Sequence, residues 1–292
     1  MDTMQAQEPG PAGATAFGGG PSGKKAAVAY DYNDLHNDTR VRLYNGEEMP
    51  LLGLGTVGIP KDLCAGVVLT SIRMGYRHID CAMVNGNQLR VGQGIRQAIQ
   101  EGYVTRNRLF ISSKLWMTHA APKNVKAAVE RCLLELGVGF LDLLLMQWPV
   151  AWVKDRRRGW WPCSREGGFE VDEGVSIADT WGAMEDLVKD GLVRSIGVAN
   201  FSCTEICSLL WSGRCNIRPA VNQVECHPYL QQKPLQKLLA DQGIQLVAFS
   251  PLGGSKAPSP GCHGPLWGRP PLSNLLQPAA RTTTTPTTIA AA

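Results

Sequence analysis

The chain has 292 residues and a formal net charge of +4, a size and balance that suit one large folded domain with ragged ends. Its 29 basic residues are spread along the sequence rather than gathered into a stripe, so charge gives no reason to expect nucleic acid. No apolar run reaches the ~18 residues of a membrane helix, and the N-terminus lacks the apolar core of a signal peptide. The expectation is a cytoplasmic protein with no membrane partner.

Nine cysteines, an odd number without CxxC spacing, sit mostly in apolar or helical patterns, among them Cys64, Cys132, Cys207 and Cys226. This is the distribution of reduced, packed thiols rather than of a disulfide framework. Cys203, Cys207 and Cys215 with His227 match no structural zinc spacing, and no metal is expected.

Residues 1–40 read as a flexible leader, because a Gly-, Ala- and Pro-rich stretch buries too little apolar surface to offset ordering entropy. Residues 41–44 and 49–52 flank an Asn45-Gly46 pair, the signature of a short β-hairpin. A strand follows that ends at residues 53–56 (GLGT). Thereafter short branched apolar runs at 77–80, 109–113, 141–146, 195–199, 220–224 and 246–250 alternate with helical patterns at 65–74, 89–100, 125–136, 178–189, 203–211 and 234–241. A repeated strand-helix unit predicts parallel strands with helical crossovers. Residues 254–292, a Pro-, Thr- and Ala-rich tail, read as disordered.

The choice between a doubly wound sheet and a barrel turns on where polar residues fall. The predicted strands end on Asp80, Lys114, Gln147, Asn200, Gln223 and Ser250. In a barrel these ends converge on one mouth, where active sites are built. The sequence GLGTVG at 53–58 imitates a dinucleotide-binding fingerprint, but Ile59-Pro60 stands where a helix would open. The expected fold is therefore a TIM-type (β/α)8 barrel over residues 41–253, lacking its last β/α unit and so left with an open edge between its first and last strands.

Asp80 and Lys114 end adjacent strands and are expected to pair inside the mouth. They serve either as a stabilising ion pair or as a charged pair that tunes a neighbouring hydroxyl. Asn200 and Gln223 carry amides suited to hold another amide, and Phe249 offers an aromatic face before Ser250. The basic and aromatic run at 156–161 (RRRGWW) falls in a loop at the mouth. It reads as a substrate-pocket wall or a plain solvated loop rather than as a nucleic-acid platform.

Segments 49–56 (MPLLGLGT), 75–80 (GYRHID), 112–116 (SSKLW), 141–149 (LDLLLMQWP), 191–201 (GLVRSIGVANF), 222–228 (NQVECHP) and 250–253 (SPLG) occur in the order found in the aldo-keto reductases, which the chain resembles over residues 41–253. The resemblance implies NADPH- or NADH-dependent reduction of aldehydes and ketones on a (β/α)8 barrel, with a catalytic Asp, Tyr, Lys and His. It puts Asp80 and Lys114 at the Asp and Lys positions, Asn85 of 85–88 (NGNQ) at the Tyr position and Gln147 at the His position. It also implies a cofactor shelf of Thr56, Asn200, Gln223, Phe249, Ser250 and Leu252, and a substrate pocket walled by Trp116 and Trp148. The partner implied is a small carbonyl compound; oligomeric state is left open.

An amide at residue 85 cannot deliver a proton as a phenol does, a loss worth roughly 10²- to 10⁴-fold in rate. Beyond residue 253 the family's phosphate-gripping segment is absent, which weakens cofactor contacts remote from the reacting ring. The readings carried forward are a slow carbonyl reductase, a catalytically inactive nucleotide-binding or regulatory relative, and a shortened chain without a stable fold.

Overall fold

A computed structural model describes residues 39–154, 159–162, 169–253 and 289–291. The leader up to residue 38, the arginines at 156–158 and residues 254–288 of the tail lie outside the described residues.

The chain opens with an antiparallel hairpin, β1 (Arg40–Arg42) and β2 (Glu48–Pro50), in which Val41 faces Met49. The predicted Asn-Gly turn closes it, with Gly46 at φ 91° in the left-handed region where only glycine is unstrained. The barrel strands follow: β3 (Leu52–Gly55), β4 (His78–Asp80), β5 (Phe110–Leu115), β6 (Leu141–Met146), β7 (Val193–Ala199), β8 (Val221–Glu225) and β9 (Gln245–Phe249). Helices α1 (Lys61–Arg73), α2 (Gln88–Gln100), α3 (Pro122–Leu136), α4 (Ile177–Lys189), α5 (Cys203–Leu210) and α6 (Lys233–Asp241) form the crossovers. All neighbouring barrel strands pair in parallel. This is the TIM-type architecture expected from the alternation.

The edge expected to stay open is bridged. A short strand, β10 (Ile289–Ala291), pairs with β9 through Ala290 opposite Ala248 and with β3 through Ala290 opposite Leu52, closing the barrel. A strand exposed on either flank presents unpaired N–H and C=O groups, and even three residues of backbone satisfy part of that demand on both flanks.

Strands of a parallel barrel are covered on both faces, and every residue of β5 and of β6 is accordingly buried. Alternation then sorts them. Phe110 of β5 and Leu143 and Leu145 of β6 join Leu43, Met49, Val221 and Val247 in one apolar cluster, so the hairpin closes the same end of the barrel interior as these side chains. Ile111, Leu115, Leu141 and Leu144 belong instead to the large core beneath the helices. Ser112 and Lys114 share the parity of Phe110, so the interior face of β5 becomes polar toward its C-terminal end.

Helix ends follow local chemistry. Ser176 caps α4 by accepting from Asp179 N (3.1 Å) while Asp179 Oδ2 accepts from Ser176 N (2.9 Å). Ser202 and Glu205 repeat this reciprocal arrangement at α5. At α3, Pro122 opens the helix and Gly137 ends it at φ 69°.

Candidate active site

Parallel pairing puts the C-terminal ends of all barrel strands on one side, and the polar strand-end residues gather there. Asp80 is the last residue of β4 and Lys114 the penultimate residue of β5. Lys114 Nζ donates to Asp80 Oδ2 at 2.6 Å and to the Cys81 carbonyl at 2.8 Å. Asp80 Oδ1 accepts from Ser112 Oγ at 2.7 Å, and Ser112 Oγ lies 2.9 Å from His78 Nε2. The result is one buried chain from His78 through Ser112 and Asp80 to Lys114.

Proton bookkeeping fixes the direction of that chain. Ser112 has one proton and gives it to the carboxylate, so His78 Nε2 donates to Ser112 Oγ. Burial holds His78 down to about 4, so at neutral pH the ring is uncharged and donates a single N–H. Burial alone would raise the Asp80 carboxyl, but the Lys114 ammonium beside it, with the bonds from Lys114 and Ser112, outweighs burial and keeps it below the usual carboxylate range. Asp80 is therefore a carboxylate with both oxygens occupied.

The backbone under Asp80 is equally constrained. Thr56 donates to the Asp80 carbonyl through both its N–H (3.0 Å) and its hydroxyl (2.9 Å), and its own carbonyl accepts from Asn87 Nδ2 (2.8 Å). Thr56, expected on the cofactor shelf, thus spends its hydroxyl on the ion pair's scaffold. Asn85 ends the 3₁₀ turn Met83–Asn85 just after β4, with Gly86 behind it at φ 63°. Its side chain is half-buried and makes no side-chain hydrogen bond among the described residues.

On the other flank, Asn200 ties three strand ends together. It adopts φ 62°, a left-handed conformation that asparagine tolerates better than most residues. Its N–H donates to the Gln223 carbonyl (2.9 Å) and its Nδ2 to the Gln147 carbonyl (2.9 Å). Gln147 N donates in turn to Leu115 O (3.1 Å), so Gln147 is stitched to the strand that carries Lys114. Gln223 is buried, Phe249 and Ser250 are half-buried at the end of β9, and Ser250 is also left-handed at φ 48°. Leu252 is 53% exposed.

The two tryptophans expected to wall the pocket part company. Trp116 is buried, donates from Nε1 to Trp160 O (2.7 Å) and stands edge-on to Trp152 and Trp161 with centroids 5.5 and 4.8 Å away. Trp148 is 44% exposed and joins no ring contact among the described residues. In its place Trp152 and Phe169 stack at 4.2 Å with planes 20° apart. Trp116, Trp152, Trp161 and Phe169 thus form one aromatic cluster after the C-terminal ends of the strands, of which sequence reasoning overlooked Trp152 and Phe169.

Sequence reasoning also missed Ser112 and His78. The period-two alternation Phe110, Ser112, Lys114 was the signal that would have found Ser112. Among the described residues no group of three or more His, Cys, Asp or Glu side chains is arranged to hold a metal ion, and Cys64, Cys81, Cys132, Cys203, Cys207, Cys215 and Cys226 are free thiols. No helix of the described residues is long and apolar enough to cross a membrane.

The sequence profile of the aldo/keto reductase family matches residues 51–259. The chain is 40% identical over 225 residues to Rho crystallin of Aquarana catesbeiana, covering 76% of this chain and 68% of that protein. It is 40% identical over 216 residues to aldo-keto reductase family 1 member A1 of Sus scrofa, covering 74% and 65%. It is 41% identical over 217 residues to NADPH-dependent D-xylose reductase of Meyerozyma guilliermondii, covering 73% and 68%. The chain thus spans about two thirds of the length of these relatives.

Proposed function

Because this chain belongs to the aldo/keto reductase family, we propose that it reduces aldehydes or ketones to alcohols with NADPH, or with NADH, at the mouth built around Asp80 and Lys114. The observation that carries the reading is the 2.6 Å Lys114–Asp80 pair at the C-terminal ends of parallel barrel strands, the side on which barrels of this kind place their chemistry. Catalytic roles go to Asp80, Lys114, Asn85 and Gln147.

The nicotinamide cofactor fits the donor set on the opposite flank. With Asn200 Nδ2 committed to Gln147 O, Asn200 Oδ1 is left to accept from a carboxamide, and Gln223 brings an amide with both donor and acceptor. Phe249 supplies an aromatic face, with Ser250 and Leu252 beyond it; Thr56 contributes by bracing Asp80. When bound, the cofactor supplies a hydride to the carbonyl carbon. The chain's own residues polarise the carbonyl oxygen through Lys114 and Asn85, while the aromatic wall excludes water and favours an apolar or ring-bearing carbonyl compound. The relative named NADPH-dependent D-xylose reductase favours NADPH. Free thiols throughout the described residues suit a cytoplasmic setting.

Asn85 supports a second reading. A carboxamide at the Tyr position leaves a site that binds nucleotide and turns over slowly or not at all, as a sensor or partner subunit would.

Titration of the purified protein with NADPH and with NADH, followed by nucleotide fluorescence and thermal shift, tests both readings. Saturable binding that raises the melting temperature, followed by aldehyde-dependent NADPH consumption, supports the reductase. Binding without consumption supports the sensor, and no binding removes both.

A further inference from the structure

With a carboxamide at residue 85, the proton that converts the alkoxide to an alcohol must come from another group. We propose that Lys114 is that donor: its ammonium delivers a proton directly to the carbonyl oxygen. The inference rests on the carbonyl-reductase reading above.

The ammonium has three N–H bonds, and the structure accounts for two, to Asp80 Oδ2 and to the Cys81 carbonyl. One remains, on a side chain that is buried but for a tenth of its surface. Asp80 leaves the proton on Lys114, because the adjacent ammonium and the bond from Ser112 hold its carboxyl below the usual carboxylate range.

Among the described residues the other candidates considered fail on geometry or charge. Burial holds His119, after β5, down to about 4, so at neutral pH it has no acidic proton to give. Burial pushes the Cys81 thiol up, away from any role as an acid. His227 has Nε2 3.4 Å from Glu225 and Nδ1 accepting from Tyr229 N. Tyr44, Tyr76 and Tyr103 lie in turns that lead into or precede strands, at the opposite end of the barrel.

In the step proposed, the carbonyl carbon gains a hydride as a C–H bond forms and the C=O π bond breaks. Its electron pair moves to oxygen. An O–H bond forms there as one Nζ–H bond of Lys114 breaks, leaving a neutral amine that regains its proton from solvent once the alcohol leaves. The carbonyl compound is reduced and the dihydronicotinamide oxidised.

Lys114→Arg separates proton delivery from charge, since a guanidinium keeps its charge and does not release a proton in proteins. Four proteins are compared: the natural sequence, Lys114→Arg, Asn85→Tyr and the double variant. NADPH affinity and melting temperature establish that each is folded and loaded. The expected result is that Lys114→Arg lowers benzaldehyde reduction by about 10²-fold or more in the natural background. In the Asn85→Tyr background, where a phenol supplies an independent acid, the loss should be smaller by at least about tenfold.

A second readout does not depend on turnover. With NADP⁺ bound, the infrared carbonyl band of benzaldehyde is expected at lower wavenumber; the shift should survive Lys114→Arg and shrink in Lys114→Met, where only Asn85 still polarises the oxygen. Tyr229→Phe serves as the control phenol and leaves the rate unchanged.

Equal losses from Lys114→Arg in both backgrounds, or loss of turnover in Tyr229→Phe, would each overturn the proposal and leave the reductase site standing, whereas an NADPH-binding natural sequence that is inert while Asn85→Tyr is active would overturn the proposal and favour the sensor reading. Failure of every variant to bind NADPH would overturn the reductase reading itself, and the proposal with it.

Discussion

Exchanging one side chain at the mouth is expected to change rate without changing architecture. Asn85 ends a short turn and makes no side-chain hydrogen bond among the described residues, so a phenol there disturbs little. Asn85→Tyr should raise aldehyde reduction by roughly 10²- to 10⁴-fold, read as NADPH consumption at saturating nucleotide. Asp80 and Lys114 were legible in the sequence because a charge that ends an apolar strand is costly to bury unless an opposite charge meets it. Ser112 and His78 were not, because a serine and a histidine inside buried strands are chemically ambiguous until the neighbouring strand's register is known: His78 lies opposite Phe110, and Asp80 opposite Ser112.

The same buried chain makes stability depend on pH. The unfolded chain protonates His78 near pH 6.5, whereas the folded side chain resists until about 4. Between those values the unfolded state binds the extra proton, so stability falls as pH drops through the window. His119, held down to about 4 chiefly by burial, acts in the same sense. Asp80 contributes lower down, since its depressed carboxyl stabilises the fold above the unfolded value and loses that contribution on further acidification. Melting temperatures measured from pH 7 to pH 4 should therefore decline. His78→Gln should flatten the decline by an amount equivalent to about 3 kcal/mol. An unchanged slope in that variant would show that His78 is not the proton acceptor.

Among the elements, most existence and order was legible, and boundaries moved for identifiable reasons. α1 begins at Lys61 rather than at residue 65 because Pro60, which has no N–H to satisfy, stands at its N-cap. β7 starts at Val193, earlier than its apolar run suggested, because Val193 pairs with Leu141. Tight helix contacts were invisible, since glycine in a helix reads only as a weak helix former. A methyl on Gly94 of α2 would meet the Ala65 carbonyl at 2.5 Å and Val68 Cβ at 2.9 Å, both on α1. Gly94→Ala should destabilise by about 1–3 kcal/mol through this overlap, despite the ~1 kcal/mol that alanine gains in helix propensity; the urea midpoint reports the sign. Ser176→Ala, which removes the reciprocal cap of α4, should cost about 1 kcal/mol by the same measurement.

For the molecule as a whole, the barrel was legible from alternation and from the shared polarity of strand ends, but its closure was not. Ile289–Ala291 is three residues long and sits beyond a Thr- and Pro-rich stretch, where no local pattern marks a strand. Its place is set by what β3 and β9 lack. Ala290→Pro removes an N–H that β10 needs while its backbone lies between two strands. The variant should melt at a lower temperature than Ala290→Gly, which keeps that N–H. Equal melting temperatures would mean that β10 contributes no net stability.

Closure by the last strand also imposes an order on biosynthesis. Leu52 waits for Ala290, so a ribosome makes seven barrel strands before the eighth exists. Throughout that interval the nascent chain carries two raw sheet edges, the form of structure most prone to associate with its neighbours. A pairing between such distant residues also slows the final folding step. The yield of native protein in a cell should accordingly respond more to chaperone supply and to the pace of translation than its finished, ion-paired interior would suggest.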